Sequence, residues 1–322
     1  MAENRVKNED EENGNSSGGG NKNALAYGLL QGAGYNTNGM SPSDAWALVD
    51  ALKLLDREQN KKTDEEKSDY KKKNAELKTH GVTKDSVVQS AGNVAEHVAI
   101  HTNNTAGAKT AVDTVQELQK EYGLNKLDRI QTKRHVGKGL FSAAASANGK
   151  GLNIHAGFLN NPSAFYRNAV EDYQNSAQAK VKRWEEVLKG SLTLNAKTKA
   201  EKNLESAREE AKYSRHNVCY KGEEVKSVIT HEMGHCIADQ LCGQINGKAC
   251  LKQGINENTA KRKVDLIRNT YTDACKSGEI TKISAYGATN EHEFFAEAFT
   301  MYKMGKEKLP EKIEKMIVEV LK

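Results

Sequence analysis

Thr230-His231-Glu232-Met233-Gly234-His235 is the stretch on which the reading of this chain turns. In an α-helix, with about 3.6 residues per turn, His231 and His235 stack on one face and project their imidazoles the same way. Two neutral imidazoles at that spacing can share one Zn²⁺. Glu232 is rotated by ~100° from His231, which suits a carboxylate that touches a metal-bound water and not the metal itself. A pattern this short recurs by chance, so it requires a helix around it and a third ligand elsewhere.

The helix is readable. Residues 223–240 contain no proline, and Val225, Val228, Ile229, Met233 and Ile237 line up as an apolar stripe, so the spacing predicts an amphipathic helix. Gly234 costs such a helix ~1 kcal/mol relative to alanine. A glycine there points to close approach of another backbone or of a substrate.

The third ligand is sought downstream, past a helix expected over residues 258–274. There Ser284-Ala285-Tyr286-Gly287-Ala288-Thr289-Asn290 runs into Glu291-His292-Glu293-Phe294-Phe295-Ala296-Glu297-Ala298-Phe299. Thr289 or Asn290 caps a helix here. Glu293 and Glu297 share one face of it, while Phe294, Phe295 and Phe299 are placed to bury the others. Like charges at that spacing cost an isolated helix a few tenths of a kcal/mol. A cation between them, or a ligand-orienting role for one of them, removes the conflict. Glu293 is therefore a candidate metal ligand, and Glu297 a candidate acceptor for a ligand histidine's second N–H. Two imidazoles and one carboxylate leave zinc a fourth position for water, the mark of a catalytic site, as in the H-E-x-x-H zinc peptidases.

Both motifs carry a family resemblance. Tyr286 to Phe299 resembles the third-ligand segment of the anthrax lethal factor catalytic domain, and His231 to His235 resembles that family's metal helix. Similar domains occur in phage and prophage-encoded proteins. The resemblance spans Glu223 to Met304, with a weaker extension back to Leu127. It implies an α+β, zincin-like fold with one Zn²⁺ held by His231, His235 and Glu293. It further implies Glu232 as general base, Tyr286 as the residue stabilising the oxyanion, and a protein or peptide as substrate. The activity implied is that of a zinc endopeptidase. Two alternatives stand beside it: a phage head-associated protein with a non-catalytic zinc site, or a delivered toxin-like effector protease. His292 occupies a position variable in the family and points ~100° away from Glu293, so it is expected on the surface.

Composition bounds the rest. With 37% hydrophobic and 28% charged residues, much of the chain is expected to be solvated helix or disorder around a smaller core. The net charge of +5 arises from 48 basic and 43 acidic side chains that are interspersed, which argues against a nucleic-acid partner. Five cysteines without C-x-x-C spacing read as free thiols of a reducing compartment, and Cys236, turned away from the histidine face, as a buried apolar one. Residues 1–23 lack an apolar signal-peptide core, and no run of about 18 apolar residues predicts a membrane span. A cytoplasmic location follows by default, with virion association or specialised export left open.

The expected organisation is a disordered acidic and Gly/Ser-rich tail over 1–23, a helical N-terminal region over 24–126, and the zincin-like domain over 127–322. A charged helical insertion is expected near 162–215, as an antiparallel pair running from Pro162 to Lys189 and from Thr198 to Tyr213. Ser41-Pro42-Ser43-Asp44 reads as a helix start. Residues 82–122 read as further helix broken near 103–107. The His97/His101 pair within it lacks the acid of either metal motif and is set aside as ordinary helix histidines. Asn148-Gly149 predicts a hairpin between residues 140–147, read as strand or short helix, and residues 152–157. The second arm is expected to form the sheet edge that takes a substrate by strand addition, with His155 as a strand side chain.

Overall fold

The computed structural model describes residues 37, 41, 72–133, 145–147, 150–190, 193–244 and 247–322. The elements below belong to the compact unit Glu66–Lys322. The expected tail over 1–23, the helix expected after Pro42, and the turn residues Asn148 and Gly149 lie outside the described residues.

A four-stranded sheet forms the upper layer. Its strands are β1 (Ala95–Ala99), β2 (Leu127–Lys133), β3 (Ala145–Ala147) and β4 (Gly151–His155), in the order β1-β2-β4-β3. β1, β2 and β4 run parallel, and β3 pairs antiparallel with β4 through Ala145–Ile154, Ser146–Asn153 and Ala147–Leu152. The hairpin arms are thus as expected, but the edge is not: β4 lies between β2 and β3, and among the described strands the Ala-rich β3 is the outer one. His155 ends β4 and caps the short helix Ala156–Asn160, accepting from Phe158 N–H.

After a helical stretch over residues 72–79, α1 (Lys84–Ala91) and α2 (Thr105–Tyr122) precede the second strand. Asn104 caps α2 by accepting from Gly107 N–H, and Gly123 ends it in the left-handed region, at φ 56°. Ala108, Ala111, Val112, Val115 and Leu118 recur at helical spacing and are all buried. Between α1 and α2 the helix expected over 82–122, with its break near 103–107, gives way to β1, so His97 lies on a strand and His101 just beyond it, both exposed. β1 pairs with β2 and α2 packs on the helix carrying the histidines. The expected division at 126/127 therefore separates elements that share one sheet and one core.

Pro162–Tyr166, a π-helical stretch Arg167–Glu171 and α3 (Tyr173–Lys189) make one nearly continuous helical run ending at Gly190. α4 (Leu194–Glu210) returns along it. Lys180 meets Glu210 at 2.7 Å and Arg208 meets Glu185 at 2.9 Å. Such exposed pairs contribute ~0–1 kcal/mol each, so the buried Ala177, Ala200, Leu204 and Ala207 do more to join the hairpin.

The lower layer is α5 (Glu224–Cys242), α6 (Glu257–Ser277), α7 (Glu291–Met304) and α8 (Glu311–Leu321). α5 is not amphipathic as expected: every residue but Lys226 is buried. It is covered by α2, α7 and β3 on different sides, so its polar side chains are enclosed too. At Gly234 a Cβ would stand 3.0 Å from Ala296 Cα, so the glycine exists for the close approach of the α7 backbone. Phe294, Phe295 and Phe299 of α7 and Ile229 and Met233 of α5 are fully buried. Among the described residues no helix is long and apolar enough to cross a membrane. All five cysteines are free thiols, with Cys236 fully buried.

Candidate metal centre

α5 presents His231 and His235 on one face, and their rings meet edge to face with centroids 4.8 Å apart. Asn290 caps α7 by accepting from the N–H groups of His292 and Glu293, which fixes the first turn and points Glu293 toward α5. His231 Nε2 and His235 Nε2 lie 3.2 Å apart, and each lies 3.2 Å from Glu293 Oε2. Tetrahedral zinc with bonds of about 2.0–2.1 Å sets its ligand atoms about 3.3–3.4 Å from one another. The three atoms therefore already have the spacing of a zinc face.

The donor chemistry agrees. His231 Nδ1 stands 2.8 Å from Glu297 Oε1. With its proton toward that carboxylate, Nε2 carries the lone pair. With both Nε2 atoms unprotonated, as metal binding requires, two lone pairs and a carboxylate oxygen converge, and Glu293 Oε2 is buried without a well-directed hydrogen bond. A cation resolves that arrangement; three converging lone pairs alone do not. His231, His235 and Glu293 are the group of the described residues that can hold a metal ion.

Electrostatics follow from the same contacts. Burial works against a charged His231, but Glu293 and Glu297 outweigh it and raise its pKa well above the usual range. Burial also opposes ionised Glu293, and the two histidines override it, holding the carboxyl far below its usual range. Glu297 is shifted down against complete burial by His231, Ser284 and the Val218 N–H. Glu232 moves the other way. Burial, with Glu293 assisting, pushes its pKa up against the pull of both histidines and of the Ala147 backbone. Tyr286 is pushed up by burial and by the nearby Glu293 carboxylate, so its hydroxyl keeps its proton.

Each residue singled out from the sequence has a place. Glu232 follows His231 on α5, is 6% exposed, and its carboxylate is reached by the backbone of edge strand β3 at Ala147. Tyr286 is half-buried, its ring tilted over His231 at 5.9 Å between centroids. Glu297 accepts from Val218 N–H at 2.5 Å and from Asn217 Nδ2 at 3.5 Å. His292 departs from expectation: it is half-buried, with its Nδ1 enclosed, because α7 enters the core within a turn of its start. It is not among the converging groups.

Sequence reasoning missed the segment Arg215–Val218. Its carbonyls at Arg215 and His216 accept from Ala285 and Tyr286 N–H at 3.1 and 2.8 Å, and its Val218 N–H holds Glu297. The signal was faint: a polar stretch with no helical apolar spacing between α4 and α5, acting mostly through its backbone.

An α+β unit here brings two histidines of one helix against a glutamate of another, which makes a candidate metal site. Residues 210–319 match the family model described as glucose-regulated metallo-peptidase M90, a span that includes both motifs and supports a zinc metallopeptidase domain. The likeness to the lethal factor domain stays a resemblance of motifs. No curated protein and no solved structure gives a significant match to the chain.

Proposed function

We propose that the chain is a zinc-dependent endopeptidase of the gluzincin type, acting on a protein or peptide. The observation that carries this is the triangle of His231 Nε2, His235 Nε2 and Glu293 Oε2 at 3.2 Å, with Glu232 enclosed beside it. A zinc ion held by these three residues supplies Lewis acidity toward a water and the scissile carbonyl. Glu232 takes a proton from the attacking water and passes it to the leaving amine nitrogen; its upward shift brings its basicity nearer to neutral pH. Tyr286 donates a hydrogen bond from its hydroxyl to the carbonyl oxygen as that oxygen gains charge. Glu297 keeps the His231 ring oriented and its Nδ1 protonated. The edge of β3 opposite β4 is the nearest sheet edge, and an extended substrate pairing there would lie across Glu232. We assign the α1-to-α8 unit to the peptidase domain, with the α3/α4 hairpin as its charged insertion.

The test is peptide-library cleavage mapped by mass spectrometry, with metal content measured on the same samples. Glu232→Gln is expected to retain zinc and lose about 10²–10⁴-fold in turnover. Tyr286→Phe is expected to retain zinc and lose about 10²-fold or more. Cleavage by Glu232→Gln at the wild-type rate would remove the general-base assignment. Wild-type cleavage that survives complete chelation would remove the zinc-dependent reading.

A further inference from the structure

His216 has no part in the metal triangle, yet this exposed residue makes four contacts that join Tyr286 to the helical run beside it. Its ring stacks on Tyr286, with centroids 5.6 Å apart and planes 25° from parallel. Its other neighbour is Tyr173 of α3, edge to face at 5.6 Å. Its carbonyl accepts from Tyr286 N–H at 2.8 Å. Its own N–H donates at 2.8 Å to the carbonyl of Ala169, inside the π-helical stretch. A π turn shifts backbone hydrogen bonds out of the regular ladder, which leaves a carbonyl there able to serve an outside donor.

The ring orientation is fixed as well. Asn217 turns its Nδ2 toward Glu297, so its Oδ1 faces His216 Nδ1 at 2.6 Å. An amide oxygen accepts, so Nδ1 carries the proton. The imidazole cannot turn over without losing that bond. One residue thus couples the helical run, through Tyr173 and Ala169, to the ring of Tyr286, which also neighbours His231. Tyr286 sits on a loop before α7, and a loop side chain needs such packing to hold a hydroxyl at one point.

We infer that His216 is a positioning residue for Tyr286: it clamps the tyrosine ring so that the hydroxyl stands ready for the substrate oxygen. This rests on the role proposed for Tyr286 above. It assigns His216 no proton transfer, and it gives the π turn and the hairpin a purpose in the reaction as supports of that clamp.

The test is a double-mutant cycle on the full chain, with zinc content measured throughout. His216→Ala is expected to lower kcat about three- to tenfold, the size of one lost aromatic contact. KM and zinc content should be unchanged. His216→Phe keeps a flat ring against Tyr286 and should recover most of the loss. In a Tyr286→Phe background, His216→Ala should have no further effect, because no hydroxyl remains to be placed. An additive loss in that background would mean that His216 acts on substrate directly, and would overturn the inference. So would an unchanged kcat for His216→Ala while Tyr286→Phe is slow; the reading of Tyr286 would survive that result. A Tyr286→Phe variant as fast as wild type would instead overturn both. Loss of zinc in His216→Ala and His216→Phe alike would make the residue a support of the metal site, also against the inference.

Discussion

Replacing Gly234 by alanine sets two effects of opposite sign against each other. Helix propensity alone favours the variant by ~1 kcal/mol, because glycine is a poor residue in mid-helix. Packing opposes it. The new methyl carbon would meet Ala296 Cα at 3.0 Å, Phe299 Cδ1 at 3.3 Å and Ala296 Cβ at 3.4 Å. Carbon atoms settle at about 3.5–4.0 Å, so α7 must yield by about 0.5 Å or more against its backbone. Overpacking of that kind costs ~1–3 kcal/mol, leaving a net loss of up to ~2 kcal/mol. The larger consequence is at the metal. α7 carries both Glu293 and Glu297, so one displacement draws the ligand and the orienting carboxylate away from His231 together. A misplacement approaching 1 Å can cost on the order of 10²-fold in rate. We expect Gly234→Ala to bind zinc at least tenfold more weakly in a chelator competition, and to melt a few degrees lower when loaded. A variant with unchanged zinc affinity and a raised melting temperature would show propensity winning, and would refute the account of Gly234 as a contact glycine.

Two further substitutions probe the supports of the site. Glu297→Gln removes the charge facing His231 Nδ1 and the strong acceptor of the Val218 N–H; we expect zinc affinity to fall about 10–100-fold by competition titration, with the fold retained in circular dichroism. Glu307→Gln breaks the paired contacts at 2.7 and 2.6 Å with buried Arg215, and should destabilise by ~1–2 kcal/mol, reduced from a fully buried pair because Glu307 is partly exposed. The hydrogen bonds from Arg215 lower the Glu307 pKa beneath its ordinary 4.5 against partial burial, so this stabilisation is present above that pH and lost as pH falls through the lowered value. The gap between wild type and Glu307→Gln in urea unfolding should therefore narrow on acidification; a gap that widened would contradict the pairing.

The metal centre was legible because its chemistry is written in side chains at helical spacing. His231, Glu232 and His235 follow from one turn of helix, Glu293 and Glu297 from another, and the cost of Gly234 announced a close neighbour before α7 was seen there. The sheet was less legible. Val94, Ala95, Val98 and Ile100 suit a helix or a strand, and pairing with β2 from beyond α2 decided for the strand. The order of β3 and β4 is likewise set by a distant partner, since β2 takes β4 and leaves the small residues of β3 to fit against α5. Val218 contributes a backbone N–H, which every residue but proline has, so no letter of the sequence marks it.

Glu297 reaches back to Val218 and His231, and Glu293 to both histidines, so the centre is a clasp closed by a segment made well after the one it closes. A chain still being synthesised owns its two histidines long before it owns a hydrolytic site. Until α7 docks it has no clasp to close. Zinc then favours only the finished fold, by ~4 kcal/mol at a free concentration a thousand times its dissociation constant. Metal occupancy in such a protein would register that α7 has docked on α5.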